Sequence, residues 1–162
     1  ASCATLGAAQ TFATDISPYR LDIAQQVGAD RVLNPVKDDL CRQIMESTGG
    51  YGVDVIIDAS GNVGAIKQSF GYLRKGGTLV AIGLPGQPLE MELGKEVVFK
   101  EATVVGIHGR KMFETWTRME QLLNADKLNV TPVITHTMSL DNWKEGVELA
   151  KAGQASKVIF NP

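Results

Sequence analysis

The amino-acid sequence predicts an α/β fold built on a doubly wound parallel sheet. Strand-like and helix-like segments alternate three times between residues 12 and 86, with connections of only a few residues. Two of the strand-like segments, VDVIIDASG and GGTLVAIGLPG, contain nearly continuous apolar runs, as expected for parallel strands covered on both faces. This alternation predicts right-handed β-α-β units in one sheet.

The first predicted unit is the stretch FATDISPYRLDIAQQVGADRVLNP. Its apolar run ends at Asp15, and Ser17 and Pro18 supply the N-cap and first turn of a helix. Apolar residues then recur at helical spacing until Gly28 ends the helix. Residues 31–33 are predicted to form the second strand.

The later elements follow from the same patterns. Helices are predicted over residues 37–48 and 62–74, on either side of the strand VDVIID. After Gly86 the alternation stops, and PLEME and VVFKEATVVGIHG are predicted as strand-like pieces joined by a helical turn near residues 93–99. The C-terminal part is predicted to contain a helix over 113–124, a strand over 133–137, a helix over 140–152 and a strand over 157–160.

Composition limits the classes of function. The chain has 162 residues, 44% of them hydrophobic, which suits one compact domain with a core. A formal net charge of -2 gives no electrostatic case for binding nucleic acid or an anionic membrane surface. No apolar run reaches the roughly 20 residues of a membrane span, and no secretion signal is visible. We therefore expect a cytoplasmic protein whose partner is a small molecule or another protein chain.

Several reactive or large side chains carry no motif of their own. Cys3 and Cys41 have no zinc-site spacing around them, so we expect two small thiols that are buried or half-buried. His108 and His136 likewise lack neighbours at metal-ligand spacing. Trp116 and Trp143 lie at helical spacing among apolar residues, and core packing is the favoured interpretation for both, as for Met119, Leu123 and Val147.

Ligands of a parallel sheet bind beyond the carboxyl ends of its strands, and Asp15 is predicted to lie there. An acid at this place accepts hydrogen bonds from the hydroxyls of an adenosine ribose and repels the 2'-phosphate of NADP, so for a dinucleotide ligand it indicates NAD. Arg20 would lie against the adenine or reach a phosphate. An equally weighted alternative is that Asp15 only caps the next helix. The Gly61-x-x-Gly64 stretch is interpreted as a plain strand-to-helix turn.

Five stretches together resemble the C-terminal half of the zinc-dependent medium-chain alcohol dehydrogenases. They are ATDISPYRLDIAQQVGAD, GVDVIIDASGN, LRKGGTLVAIGLP, VVFKEATVVGIHGRKMFETW and LNVTPVITHTMSLDNWKEGVELAKAGQASKVIF, and they cover almost the whole chain. The first three are common to the superfamily. The segment GIHGRKMFETW is the specific one, because it is typical of the L-threonine 3-dehydrogenase branch.

The resemblance implies an incomplete Rossmann-type sheet over residues 1–111, without its first strand and glycine-rich loop. Residues 112–162 would be a segment that returns to the catalytic domain. Asp15 would contact the adenosine ribose, Arg20 the adenine end of NAD, and Ser60 and Gly61 the same ribose. The nicotinamide end would be flanked by Ile82, Gly83, Leu84, Ile107 and His108.

The resemblance also implies a reaction that this chain does not complete alone. The parent protein would oxidise the 3-hydroxyl of L-threonine to 2-amino-3-oxobutanoate, with zinc acidifying the hydroxyl and hydride passing to NAD. The zinc ligands and the proton relay would lie outside this chain, so the fragment itself is predicted to be inactive. The family is usually oligomeric, and the edge strand near residues 103–107 would join two copies.

Two other functions remain open at this stage. One keeps the superfamily but exchanges L-threonine for a polyol or a 2,3-butanediol, against which only the FETW segment argues. The other is a non-catalytic nucleotide-binding module, since an acid after a strand also suits adenosyl-methionine. The C-terminal segment PVITHTMSLDNWKEGVELAKAGQASKVIF favours the dehydrogenase.

Overall fold

A computed structural model describes residues 1–162 of the chain. The chain divides into two compact units, one made of Ala1–Asp38 with Phe113–Pro162, the other of Asp39–Met112. None of its helices has the length and apolar character needed to cross a membrane.

Helices and strands alternate along most of the chain. In chain order they are α1 (Ser2–Thr5), β1 (Phe12–Thr14), α2 (Pro18–Gln26), β2 (Arg31–Leu33), α3 (Leu40–Ser47), β3 (Val53–Asp58), α4 (Val63–Ser69), β4 (Leu73–Ala81), a π-helical turn (Gly94–Val98), β5 (Thr103–Gly106), α5 (Glu114–Asn124), β6 (Ile134–Ser139), α6 (Trp143–Lys151) and β7 (Lys157–Asn161). Short 3₁₀ turns at Thr131–Val133 and Leu140–Asn142 precede β6 and α6.

The first unit contains two parallel strand pairs, β1 with β2 and β6 with β7. The first pair is tied together at its start by Asp30, whose carboxylate accepts hydrogen bonds from the backbone N–H and the hydroxyl of Thr11, both at 2.7 Å. The hydrogen bond from the Thr11 hydroxyl is the larger cause that lowers the pKa of Asp30, and the bond from the Thr11 backbone N–H is the next. As the sequence predicts, Pro18 opens α2 and Gly28 follows it with a φ of +100°.

The second unit is a three-stranded parallel sheet in the order β3-β4-β5, with α4 packed on one face. Its core is a cluster of buried apolar side chains that α4 and β4 supply, together with Phe70 just after α4. Lys100 donates from its ammonium group to the carbonyls of Phe70 and Leu73 and so satisfies backbone acceptors after α4. The buried cluster consists of Ile66, Phe70, Leu73 and Leu79.

The predicted α/β class with parallel sheets is confirmed, and two details of the sheets differ. The strands form three separate sheets, although the alternation predicted one. Alternation fixes the direction of neighbouring strands, but partner choice depends on residues far apart in sequence. The apolar run of β3 predicted a strand covered on both faces, but one face is partly open. Val55 and Ile57 on that face are 54% and 50% exposed.

The main differences from the prediction are two helices that are shorter and one predicted strand that is absent. The helix predicted over 37–48 begins only at Leu40, because the side chain of Asp39 caps it by accepting the N–H of Arg42 at 3.0 Å. The helix predicted over 62–74 ends at Ser69, since Leu73 already pairs with Val53. PLEME is not a strand: its apolar side chains, Leu89 and Met91, pack against the buried cluster of the second unit instead.

The predicted burial of the two tryptophans and of one cysteine is wrong. Trp116 and Trp143 are 42% and 50% exposed, and no residue of α5 is buried. Met119, Leu123 and Val147, which the same pattern placed in the core, are also exposed. Cys3 is exposed and Cys41 is half-buried. Helical spacing shows which residues share a face, and these faces lack a covering element in the structure.

Candidate functional site

Asp15 lies in a tight turn between β1 and α2. One carboxylate oxygen, Oδ1, accepts the backbone N–H of Ser17 at 2.8 Å, and Oδ2 lies 3.7 Å from a guanidinium nitrogen of Arg20. The N-cap of α2 is Ser17, whose side chain accepts the N–H of Arg20 at 3.4 Å. The interpretation of Asp15 as the helix cap is therefore wrong. Its side chain is 30% exposed, which leaves carboxylate surface free for a hydroxyl donor.

Asn34 holds the turn that carries Asp15, and sequence reasoning missed it. This buried residue follows β2, donates from Nδ2 to the carbonyl of Ile16 at 3.0 Å, and accepts the N–H of Val36 through Oδ1 at 2.9 Å. The loops after β1 and β2 are thus joined by one buried amide. The only sequence signal was the Asn-Pro pair, which marks a turn but names no partner.

Ser60 and Gly61 form the loop after β3 in the second unit. Both bond to Asp58, the last residue of β3, and the Ser60 hydroxyl donates to its Oδ1 at 2.6 Å. Gly61 donates its N–H to Asp58 Oδ2 at 3.0 Å and has a φ of +63°, which only glycine adopts easily. As predicted, Gly61–Gly64 is a strand-to-helix turn, with Asn62 as the N-cap of α4.

Ile82, Gly83 and Leu84 form the loop after β4, and this loop lies directly against Gly61. A Cβ on Gly83 would overlap the backbone nitrogen of Gly61, and a Cβ on Gly61 would lie 2.5 Å from the carbonyl oxygen of Leu84. Ile82 and Leu84 keep 47% and 81% of their surface exposed. Two glycines thus allow two loops to pack backbone against backbone, with apolar side chains facing outward.

Ile107 and His108 follow β5, the next strand of the same sheet. Ile107 donates its N–H to the carbonyl of Ala81 at 2.9 Å, beside Ile82. His108 is exposed, and Gly109 follows it with a φ of +70°. The carboxyl ends of β3, β4 and β5 therefore bring seven predicted site residues to one edge of the second unit: Ser60, Gly61, Ile82, Gly83, Leu84, Ile107 and His108.

The predicted site residues are divided between the two units. Asp15 and Arg20 belong to the first unit, and the seven others to the second. The remaining histidine, His136, lies on β6, where its Nδ1 is 3.0 Å from the hydroxyl oxygen of Thr135.

The chemistry offered by these residues is binding rather than bond breaking. Asp15 supplies a carboxylate for hydroxyl groups, and the loops of the second unit supply exposed apolar side chains beside backbone polar groups. No group of three or more His, Cys, Asp or Glu side chains could hold a metal ion. These residues therefore do not fit a zinc ion, whereas the Asp15 carboxylate can accept hydrogen bonds from donor groups.

The chain is similar in sequence to zinc-binding dehydrogenases. Residues 1–125 match the model of the zinc-binding dehydrogenase family. An L-threonine 3-dehydrogenase from Caldanaerobacter subterraneus subsp. tengcongensis is 41% identical over 157 residues, which are 96% of this chain and 45% of that protein. The chain thus spans less than half the length of the curated relatives it matches.

Two solved structures share the fold over 99% of this chain. An alcohol dehydrogenase from Thermotoga maritima has a TM-score of 0.88 at 29% identity, with 45% of its chain covered. The 2R,3R-butanediol dehydrogenase from Bacillus subtilis also has a TM-score of 0.88, at 26% identity, with 46% covered. Similarity of this extent means that the two units occur together in longer dehydrogenases.

Proposed function

Because this chain belongs to the zinc-binding dehydrogenase family, we propose that it is the cofactor-binding part of an NAD-dependent L-threonine 3-dehydrogenase. The parent protein oxidises L-threonine to 2-amino-3-oxobutanoate and reduces NAD⁺ to NADH, with release of a proton. The substrate proposal is supported by relatives of that name at 38% to 41% identity. Residues 1–111 form the incomplete NAD-binding domain in this proposal, and residues 112–162 return to the catalytic domain.

The position of Asp15 is the observation that carries the cofactor proposal. Its carboxylate lies directly after the first strand, is held by the N–H of Ser17, and keeps exposed surface beside Arg20. A carboxylate held in this way accepts hydrogen bonds from the two hydroxyls of the adenosine ribose. It also repels the 2'-phosphate of NADP, so the proposed cofactor is NAD.

The remaining predicted site residues are assigned to the rest of the dinucleotide. Arg20 contacts the adenine end, and Ser60 and Gly61 lie beside the adenosine ribose. The nicotinamide ring, which accepts the hydride when the cofactor is bound, is flanked by residues of the loops after β4 and β5. These residues are Ile82, Gly83, Leu84, Ile107 and His108.

The zinc ligands of the proposed enzyme are assigned to the part of the protein outside this chain. The metal-ligating side chains of the chain form no cluster that fits a zinc ion. Binding of the substrate hydroxyl is therefore assigned to the same outside part, and the isolated chain is proposed to be catalytically inactive.

Exchanging Asp15 for Asn in the full-length protein tests the cofactor proposal. Asn keeps an acceptor for the N–H of Ser17 but removes the charge that repels a 2'-phosphate. We expect kcat/KM for NAD to fall about tenfold to a hundredfold and that for NADP to rise, because a charge-assisted hydrogen bond contributes about 1.5–3 kcal/mol. The KM for L-threonine should not change. Asp22→Asn, an exposed acid on α2, is the matched control.

Two results would contradict the proposal. One is an unchanged ratio of NAD to NADP use in the Asp15→Asn variant. The other is a wild-type protein that prefers NADP, since that preference would remove the role assigned to the Asp15 charge.

A second candidate substrate is a vicinal diol. The observation that favours it is the TM-score of 0.88 with 2R,3R-butanediol dehydrogenase, equal to that with the Thermotoga maritima alcohol dehydrogenase. Backbone similarity does not distinguish substrates within one fold, however. The L-threonine proposal takes precedence because it rests on higher sequence identity over nearly the same length of chain.

A further inference from the structure

Asp58 is a buried acid with no assigned role, and only 8% of its surface is exposed. It ends β3, and its two carboxylate oxygens are directed at the loop that follows. Oδ1 accepts the backbone N–H of Ser60 at 3.2 Å and its hydroxyl at 2.6 Å, while Oδ2 accepts the N–H of Gly61 at 3.0 Å. Three donors from two adjacent residues therefore compensate one buried carboxylate.

The backbone of Asp58 bonds to a second loop. Its carbonyl oxygen accepts the N–H of Ile82 at 2.8 Å and the N–H of Gly83 at 2.9 Å. Side chain and main chain of one residue thus hold the loop after β3 and the loop after β4. Both loops contain residues assigned to the dinucleotide.

The two loops also lie too close together to move independently. The backbone of Gly83 is packed on Gly61 so tightly that no Cβ fits between them, and Gly61 is equally close to Leu84. A shift of Gly61 must therefore displace residues 83–84. The hydrogen bond from Gly61 to the Asp58 carboxylate fixes the position of this contact.

Helix capping does not account for the Asp58 side chain. The N-cap of α4 is Asn62, whose Oδ1 accepts the N–H of Ala65 at 3.0 Å. The Asp58 side chain bonds only to loop residues that precede that helix. Its carboxylate is suited to this task because both of its oxygens accept hydrogen bonds, whereas an amide side chain offers one acceptor and one donor.

We propose that Asp58 is a positioning residue that locks the loops at 60–61 and 82–84 into one rigid platform for the dinucleotide. This inference rests on the proposed NAD-binding function. It assigns to Asp58 an effect on cofactor affinity that acts through Ser60 and Gly61, without contact between Asp58 and the cofactor.

The test compares Asp58→Asn with wild type in the full-length protein. NADH affinity is measured by fluorescence titration, and hydrogen exchange is measured at the backbone N–H groups of Gly61 and Gly83 without cofactor. The side-chain NH₂ group of Asn would face one of the loop N–H or O–H groups, so that one hydrogen bond is lost. We expect NADH binding to weaken about tenfold, which corresponds to about 1.4 kcal/mol. We also expect faster exchange at both glycines. The second glycine is decisive, because the Asp58 side chain does not bond to it directly.

Asp54→Asn is the matched control. Asp54 lies on the same strand, is 71% exposed in its side chain, and pairs with Arg74 at 2.5 Å, away from both loops. The same change of chemistry there should leave NADH affinity and the exchange of both glycines at wild-type values.

A second variant covers the case in which Asp58→Asn does not fold. Ser60→Ala removes the 2.6 Å bond to Asp58 Oδ1, and Ser60→Thr retains a hydroxyl. We expect Ser60→Ala to weaken NADH binding about threefold or more and to speed exchange at Gly61, with Ser60→Thr restoring both.

The outcomes separate this inference from the proposed function. If wild type binds NADH and Asp58→Asn binds it equally well, Asp58 is only a strand-end residue and the inference is overturned while the proposed function stands. Wild-type affinity in Ser60→Ala would overturn it in the same way. A wild-type protein that does not bind NADH overturns the proposed function, and this inference with it.

Discussion

At the scale of single residues, three short polar side chains at or just after strand ends hold the loops that carry the predicted site residues. Asp15 and Asp58 each accept backbone N–H groups of residues two or three positions later in the chain. Asn34 joins the turns after β1 and β2. Each is a short polar side chain that bonds to the loop nearest to it in space or sequence. The loops are therefore fixed before any ligand arrives, which lowers the entropic cost of binding.

Tyr72 gives a pH-dependent test at the same scale. Burial raises its pKa above the ordinary value of 10.0, and negative charge at Cys41 and Asp58 raises it further. Because the folded state prefers the neutral ring, this group's contribution to stability is fully present below pH 10 and is lost as pH rises through the higher folded pKa.

The expected result is a loss of unfolding free energy above pH 10 that is smaller in Tyr72→Phe than in wild type, measured by urea denaturation at several pH values. Tyr51→Phe, at a side chain that is 68% exposed, should lose stability as wild type does. Parallel pH curves for wild type and Tyr72→Phe would show that the ring is not buried in solution.

At the scale of elements, helices α3 and α5 differ in how their apolar faces are used. Ile44 of α3 is 1% exposed, whereas Met119 of α5 is 50% exposed. We expect Ile44→Ala to lower the unfolding free energy by about 2–4 kcal/mol, the cost of a buried cavity, and Met119→Ala to lower it by less than about 0.5 kcal/mol. Urea denaturation of this chain measures both values, and equal losses would contradict the exposed position of α5.

Local patterns predicted most elements because the signals that start and stop them are local. Ser17-Pro18 and Gly28 marked the ends of α2. The start of α3 was predicted too early because Asp39 was not recognised as its N-cap. The end of α4 was predicted too late because β4 begins already at Leu73. Strand pairing was not predictable in the same way, since it depends on distant partners. The role of Asp58 was missed because an acid that ends a strand is ambiguous until its hydrogen-bond partners are known.

At the scale of the whole molecule, β5 is one of the two edge strands of the three-stranded sheet and carries exposed apolar surface. Val104 is 52% exposed, and Ile107 just after the strand is 46% exposed. Unpaired edges of this kind pair readily with another chain. We therefore expect this chain to self-associate through β5, consistent with a proposed homo-oligomeric parent.

Size-exclusion chromatography with light scattering measures this self-association directly. Val104→Lys should lower the average mass, because a charged edge residue opposes strand pairing. Val36→Lys, at a 79% exposed residue outside the strands, should leave the mass unchanged. A wild-type chain that is monomeric at high concentration would contradict the proposed edge contact.

The central proposal, an NAD-dependent L-threonine dehydrogenase, is tested most directly by the substrate preference of the full-length protein. NAD reduction is measured with L-threonine, 2,3-butanediol and sorbitol, before and after zinc chelation. We expect kcat/KM for L-threonine to exceed the others by about a hundredfold or more, since a site that hydrogen-bonds its substrate rejects analogues that lack those groups, and we expect chelation to abolish the rate. A higher kcat/KM for either alcohol, or an undiminished rate after chelation, would contradict the account.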